Sequence, residues 1–173
     1  RSNHLARGFE QQLREARIPY AISGGKSFFD KAEIKDIIAY LRLLTNEDDD
    51  PAFIRAATTP KRGIGAATLQ VLGTYAGERH VSLFHAAFEE GFAHRVQPRQ
   101  LEPLLEFCQF INRIQQRATR EPAQQVLPDL LTAIDYETFL YDHEEERTAQ
   151  TRWANVCEFT NWLNGKGEEE GKT

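Results

Sequence analysis

Little in this sequence invites a membrane, a disulfide or a metal. Across 173 residues no apolar run approaches the ~20 residues that a bilayer-spanning helix needs. The N-terminus is charged and polar, without the apolar stretch of a secretory leader. There are two cysteines, Cys108 and Cys157, each inside an apolar, helix-like pattern. They read as reduced core residues of a cytoplasmic protein, not as a disulfide. The five histidines, His4, His80, His85, His94 and His143, show no metal-ligand spacing. No serine, histidine and aspartate set has the context of a nucleophile elbow. Positive charge is also in short supply. A net charge of −5 argues against a surface coated for nucleic acid, although it is compatible with a local basic patch. The acidic clusters at residues 47–50, 144–146 and 168–170 read as solvated surface.

A phosphate-binding loop is missing too, despite a suggestive stretch. Gly25-Lys26-Ser27 could end such a loop, but the loop needs a further glycine five positions before Gly25, where the chain carries Tyr20. The better reading of "SGGKS" is a flexible joint formed by Gly24 and Gly25.

What is present is a hydrophobic content of 40% and a charged content of 27%, which fit a globular domain with a real core and perhaps part of a second. "LARGFEQQLREAR" has helical spacing, and "IPYAIS" reads as a short strand closed by Gly24 and Gly25. Beyond this the pattern is helical throughout. "KAEIKDIIAYLRLL" carries Ile34, Ile37, Ile38, Leu41 and Leu44 on one stripe. "NEDDDPAFIRAA" looks like a helix start with Asp50 as cap and Pro51 in the first turn. "AATLQVLGTYAGER", "SLFHAAFEEGF", "LEPLLEFCQFINRIQQRA", "PAQQVLPDLLTAI", "YETFLYDHEE" and "TAQTRWANVCEFTNWL" complete the series. Trp153 and Trp162 are expected in the core, and Phe28 with Phe29 should anchor the glycine joint to the helical part. The fold class is therefore all-α from about residue 26, preceded by a helix–strand fragment over residues 1–25. One strand cannot make a stable sheet, so the fragment reads as the edge of a larger α/β domain. "LNGKGEEEGKT" reads as a ragged end or a loop, and the whole as a piece of a larger protein.

Two stretches could carry chemistry. In "TTPKRGIGAATLQVL", Gly63, Ile64 and Gly65 form a tight turn that exposes backbone N–H groups at the start of the next helix. Oriented amides and a helix dipole bind phosphate with no base readout. Lys61 and Arg62 add charge, and Thr68, one turn in, could bring a hydroxyl to a neighbouring phosphate. This is the helix-hairpin-helix way of holding a duplex backbone. The same turn also reads as an ordinary inter-helix connection with surface cations. In "RSNHLAR", Arg1, Asn3 and Arg7 could contact a phosphate chain, or could simply solvate a helix end.

Taken together and in order, "RSNHLAR", "IPYAISGGKSFFDKAEIKDIIAYLRLLTNEDDDPAFIRAATTPKRGIGAATL", "EPAQQVLPDLLTAIDYETFLYD" and "RWANVCEFTNWL" resemble the UvrD/Rep/PcrA group of superfamily 1 DNA helicases, most of all its Rep branch. The resemblance is densest over residues 1–70 and covers essentially the whole chain. It implies that residues 1–25 are an edge of the RecA-like motor domain 2A, and that residues 26–173 are most of the helical accessory subdomain 2B, with its C-terminal part missing. It also implies that Thr59, Lys61, Arg62, Gly63, Ile64, Gly65 and Thr68 contact duplex DNA, that Arg1 and Asn3 contact single strand, and that Gly24 and Gly25 are a hinge. No cofactor is expected in this piece; ATP and Mg would bind elsewhere in the parent. The expected role is duplex contact and regulation in a 3′-to-5′ DNA helicase, with replication or repair proteins as further partners and no membrane. Two alternatives stay open. One is a protein-interaction or autoinhibitory module, which the acidic composition favours. The other is a helix-hairpin-helix domain of a nuclease or polymerase, against which the absent metal-binding carboxylate cluster speaks.

Overall fold

The acidic run Asp48–Asp50 organises two helix starts. In the computed structural model, which describes residues 25–172, Asp49 is extended and its carboxylate accepts a hydrogen bond from the Ala52 N–H at 3.1 Å. It caps a helix (α2) over Asp50–Thr58. The cap is thus one residue earlier than expected at Asp50. The Asp50 carboxylate instead accepts from the Leu83 N–H at 2.9 Å, and Asp48 accepts from the Ser82 hydroxyl at 2.6 Å. Two acids of the run read as solvated surface therefore organise a helix start 33 and 34 residues downstream.

Among the described residues the elements are a 3-10 helix at Gly25–Asp30, then α1 (Ala32–Thr45), α2, α3 (Ala66–Arg79), α4 (Leu83–Ala87), α5 (Glu90–Ala93), α6 (Pro98–Ala118), α7 (Ala123–Ala133), α8 (Tyr136–His143) and α9 (Glu146–Lys172). None is a strand, and the all-α class holds. The helix and strand expected before residue 25 lie outside the described residues. "SLFHAAFEEGF" is divided into α4 and α5 at Glu89. That residue is extended, and its carboxylate accepts from the Tyr75 hydroxyl at 2.6 Å and from Arg79 Nε at 3.0 Å. The Tyr75 bond first, and Arg79 second, hold the Glu89 carboxyl below its usual range. At the other end α9 continues through the stretch expected to be loop, as far as Lys172.

The residues fall into two compact units, one of Ala39–Gln115 and one of the flanking segments. In the flanking unit, Ile34 and Ile37 are buried, as are Val126, Leu127 and Leu130 of α7, Tyr136 of α8, and Phe159 and Leu163 of α9. Phe28 is fully buried, and the Phe28 and Phe29 rings lie 6.5 and 5.9 Å from that of Phe159. The aromatic pair thus anchors the 3-10 helix as expected. Trp153 and Trp162 are half-buried, not core; Trp162 stacks on Phe159 at 6.3 Å. Two carboxylates on α1 are buried and partnered: Asp36 accepts from the Tyr136 hydroxyl at 2.7 Å, and Glu33 accepts from Asn155 Nδ2 at 2.9 Å. Cys157 is half-buried.

The other unit is built on an aromatic stack. Phe53 of α2 meets Phe107 of α6 edge-on at 5.6 Å and Phe84 of α4 at 6.4 Å, the tilted geometry that aromatic quadrupoles prefer. Tyr40, Leu72, Phe92 and Cys108 fill the same interior. Both cysteines are free thiols, and burial pushes that of Cys108 up to about 12.

Candidate nucleic-acid interface

The turn between α2 and α3 lies wholly within the Ala39–Gln115 unit. α2 ends at Thr58. Thr59 is an extended C-cap whose N–H returns to the Ala56 carbonyl, and the Thr59–Pro60 peptide is cis. Lys61 is exposed. Gly63 has φ +86°, a region that a Cβ disfavours, so glycine is required there by the backbone. Ile64 turns inward and is 8% exposed, which pins the turn to the core. Gly65 is extended and sits at the N-cap of α3 with no capping side chain.

α3 therefore opens with first-turn amides that no side chain caps. Such amides have no intrahelical partner and, with the helix dipole, make an anion site. Ala66 and Ala67 are exposed, and a Cβ placed on Gly65 would have no atom within 4 Å. An exposed Lys61, a Gly65 with open space around its Cβ position and the uncapped start of a 14-residue helix at Ala66 thus lie within one short stretch of chain. This arrangement can hold a phosphate oxygen. It has no nucleophile and nothing that reads a base edge.

Not every residue expected here faces outward. Thr59 is half-buried, and its carbonyl accepts from the Tyr40 hydroxyl at 2.7 Å. Thr68 is only 4% exposed, so its side chain belongs to the interior of the unit and not to the open side of the turn. Arg62 is half-buried and folded inward: its Nε donates to the Pro60 carbonyl at 3.2 Å, Nη2 donates to Tyr40 Oη, and Cζ lies 4.7 Å from the centre of the Phe107 ring. Arg62, expected to add charge for a duplex contact, is thus turned toward the core of its unit. Tyr40, Pro103 and Phe107 support the turn and were not legible as such in the sequence. Arg1, Asn3 and Gly24 lie outside the described residues, while Gly25 opens the 3-10 helix.

From Gly25 onward that helix runs toward the core. Within three residues of Gly25 the chain reaches the Phe28 anchor, and the following α-helix opens only at Ala32. A phosphate loop instead runs directly into its helix. Among the described residues no three His, Cys, Asp or Glu side chains are grouped to hold a metal, and no helix is long and apolar enough to cross a membrane.

Comparison with known proteins follows the same lines. The family described as the UvrD-like helicase C-terminal domain matches residues 1–171. The ATP-dependent DNA helicase Rep of Salmonella typhimurium is 48% identical over 164 residues, 94% of this chain and 24% of that protein. Rep of Escherichia coli is 46% identical over 164 residues, with the same two coverages. The ATP-dependent DNA helicase PcrA of Bacillus subtilis is 35% identical over 159 residues, 92% of this chain and 21% of that protein. The chain spans about a quarter of the length of the two Rep proteins. With residues 1–171 matched and the relatives in agreement, the chain belongs to the UvrD-like helicase C-terminal domain family.

Proposed function

We propose that this chain is the helical 2B part of a bacterial ATP-dependent 3′-to-5′ DNA helicase, and that it grips the backbone of duplex DNA through the turn at Lys61, Gly63, Ile64 and Gly65. The observation that carries this reading is the uncapped start of α3 behind an exposed Lys61 and an open Gly65. Family membership and the names of the relatives support the parent activity. ATP and Mg belong, on this reading, to the rest of the parent, as does the grip on single strand; Arg1 and Asn3 would contribute to the latter.

Regulation would come from movement of the subdomain. The aromatic anchor at Phe28 and Phe29 fixes the chain immediately after Gly25, which leaves Gly24 and Gly25 as the pair that absorbs rotation between two packed bodies. Replication or repair proteins would act on that motion.

The test is made in the full helicase. Lys61→Ala should weaken binding to a tailed duplex more than to single strand, and should shallow the dependence of log affinity on log salt by about one unit. Equal losses on the two substrates would remove the duplex from the assignment. They would favour instead the protein-interaction module that the net charge of −5 suggests.

A further inference from the structure

Arg62 stands beside Lys61 in the sequence, but the structure gives the two cations different jobs. The Arg62 guanidinium joins three parts of the unit directly and a fourth through Tyr40. Nε donates to the Pro60 carbonyl at 3.2 Å, within its own loop. Nη2 donates to Tyr40 Oη on α1. The Tyr40 hydroxyl, fully buried, shares its own hydrogen between the Ala56 carbonyl at 3.0 Å and the Thr59 carbonyl at 2.7 Å, at the end of α2. Beneath the guanidinium plane lies Phe107 of α6, with Cζ at 4.7 Å from its ring centre. Four residues earlier on α6, Pro103 sits under the next residue of the turn: a Cβ on Gly63 would meet its ring at 3.7 and 3.8 Å. Residues four apart share a helix face, so Pro103 and Phe107 make one floor for Arg62 and Gly63.

We propose that Arg62 is a positioning residue, not a phosphate ligand: it seats the turn on α6 and the end of α2 so that the Gly65 corner and the first amides of α3 face outward. This rests on the interface reading above and assigns the ionic contact within it to Lys61. Reaching out to a phosphate would strip Arg62 from the Phe107 face and break its hydrogen bonds to the Tyr40 oxygen and the Pro60 carbonyl. Guanidinium is suited to this seat because it is planar, stacks on aromatic rings and donates in a fixed fork; a lysine carries the same charge without that shape.

The two roles separate in the full helicase, by affinity for a tailed duplex and for single strand over a salt series. Tyr40→Phe removes one buried oxygen and no charge, and Arg62→Lys keeps the charge and loses the fork. Each should weaken duplex binding about 3- to 10-fold, and the double variant no more than the stronger single, as in one shared hydrogen-bond network. The salt slope should stay unchanged in both, because the number of cations meeting phosphate is unchanged. Lys61→Ala should lower the slope by about one unit and add to either variant. The proposal is overturned if Tyr40→Phe is silent and Arg62→Lys binds normally while Arg62→Ala shallows the slope by about one unit. If all of these variants, Lys61→Ala included, leave duplex binding untouched, the interface reading itself fails. Where Tyr40→Phe also lowers single-strand binding and ATP hydrolysis, it has damaged the fold. Phe107→Leu then decides, since it removes the ring under the guanidinium and spares its hydrogen bonds: reduced duplex affinity at unchanged salt slope supports the seat, and unchanged affinity overturns it.

Discussion

The two glycines of the turn should respond to the same substitution in opposite ways. Gly63 has φ +86°, and its nearest neighbours to a new Cβ, at 3.7 and 3.8 Å, are ordinary contacts. Gly63→Ala therefore meets no steric wall and carries only the backbone penalty, about 1–2 kcal/mol. For a chain of this size that corresponds to a fall of about 2–8 °C in the unfolding midpoint. Gly65 is extended, at φ −90° and ψ 168°, where any residue is comfortable, and a Cβ there meets nothing within 4 Å. Two small effects oppose each other in Gly65→Ala. Alanine is a poorer N-cap than glycine, by some tenths of a kcal/mol or more, and it lowers the entropy of the unfolded chain by about 0.4–1 kcal/mol. The net change in stability should stay within about 0.5 kcal/mol. The new methyl, however, stands in the open space before the first amides of α3, where a phosphate oxygen would approach. Thermal or urea unfolding of the 173-residue chain, paired with duplex affinity in the parent helicase, separates the cases. Gly63→Ala should lose stability, and Gly65→Ala should lose duplex binding at unchanged stability. A Gly65→Ala variant that binds duplex normally, or that unfolds as early as Gly63→Ala, would refute the reasoning.

Two further outcomes are expected. Tyr136→Phe removes the buried donor to Asp36 and should destabilise the chain by about 1–3 kcal/mol in denaturant titration; an unchanged midpoint would show that another donor takes its place. Cys108, raised by burial to about 12 from an ordinary value near 9, should resist alkylation at pH 8.5 while the half-buried Cys157 reacts first. A raised folded-state value means that its contribution to stability is complete below about pH 9 and is lost as the pH climbs toward 12, so alkaline unfolding should expose Cys108 to the reagent. Faster labelling of Cys108 in the folded protein would contradict its burial.

The helices were legible in the sequence because their apolar stripes repeat at helical spacing, and α3 starts where the glycine turn said it should. Their ends were less legible. Asp49 and Asp50 are chemically equivalent caps on paper, and only the path of the chain decides which carboxylate reaches Ala52 and which reaches Leu83. The glycines of "LNGKGEEEGK" suggested a stop, yet a glycine costs a helix only about 1 kcal/mol, too little to end α9 by itself. The candidate site was legible as a set of amides and charges but not as directions. Lys61 and Arg62 differ in role because a tyrosine 22 residues earlier and the ring of Phe107 on α6 capture one of them. Nothing local in "PKRGIG" records either partner. Thr68 was misdirected for a similar reason: its place on the first turn of α3 is evident from spacing, but which side of that turn is covered depends on packing.

The contacts of Asp48 and Asp50 with Ser82 and Leu83 also make the hairpin of α2 and α3 a closed ring. Both contacts join the start of the hairpin to the residues just after it, at the end away from the glycine turn. Whatever lies between inherits that closure, because the entropy of bringing the two ends together is met at the mouth. Lengthening such a ring adds only about 0.6 kcal/mol for each doubling of its length. A few residues inserted between Thr59 and Lys61 should thus leave the ring shut, while charge-neutral replacement of Asp48 and Asp50 should open it with the turn sequence intact. The glycine-turn tip is in this sense a removable insert, and two acids, Asp48 and Asp50, form its frame.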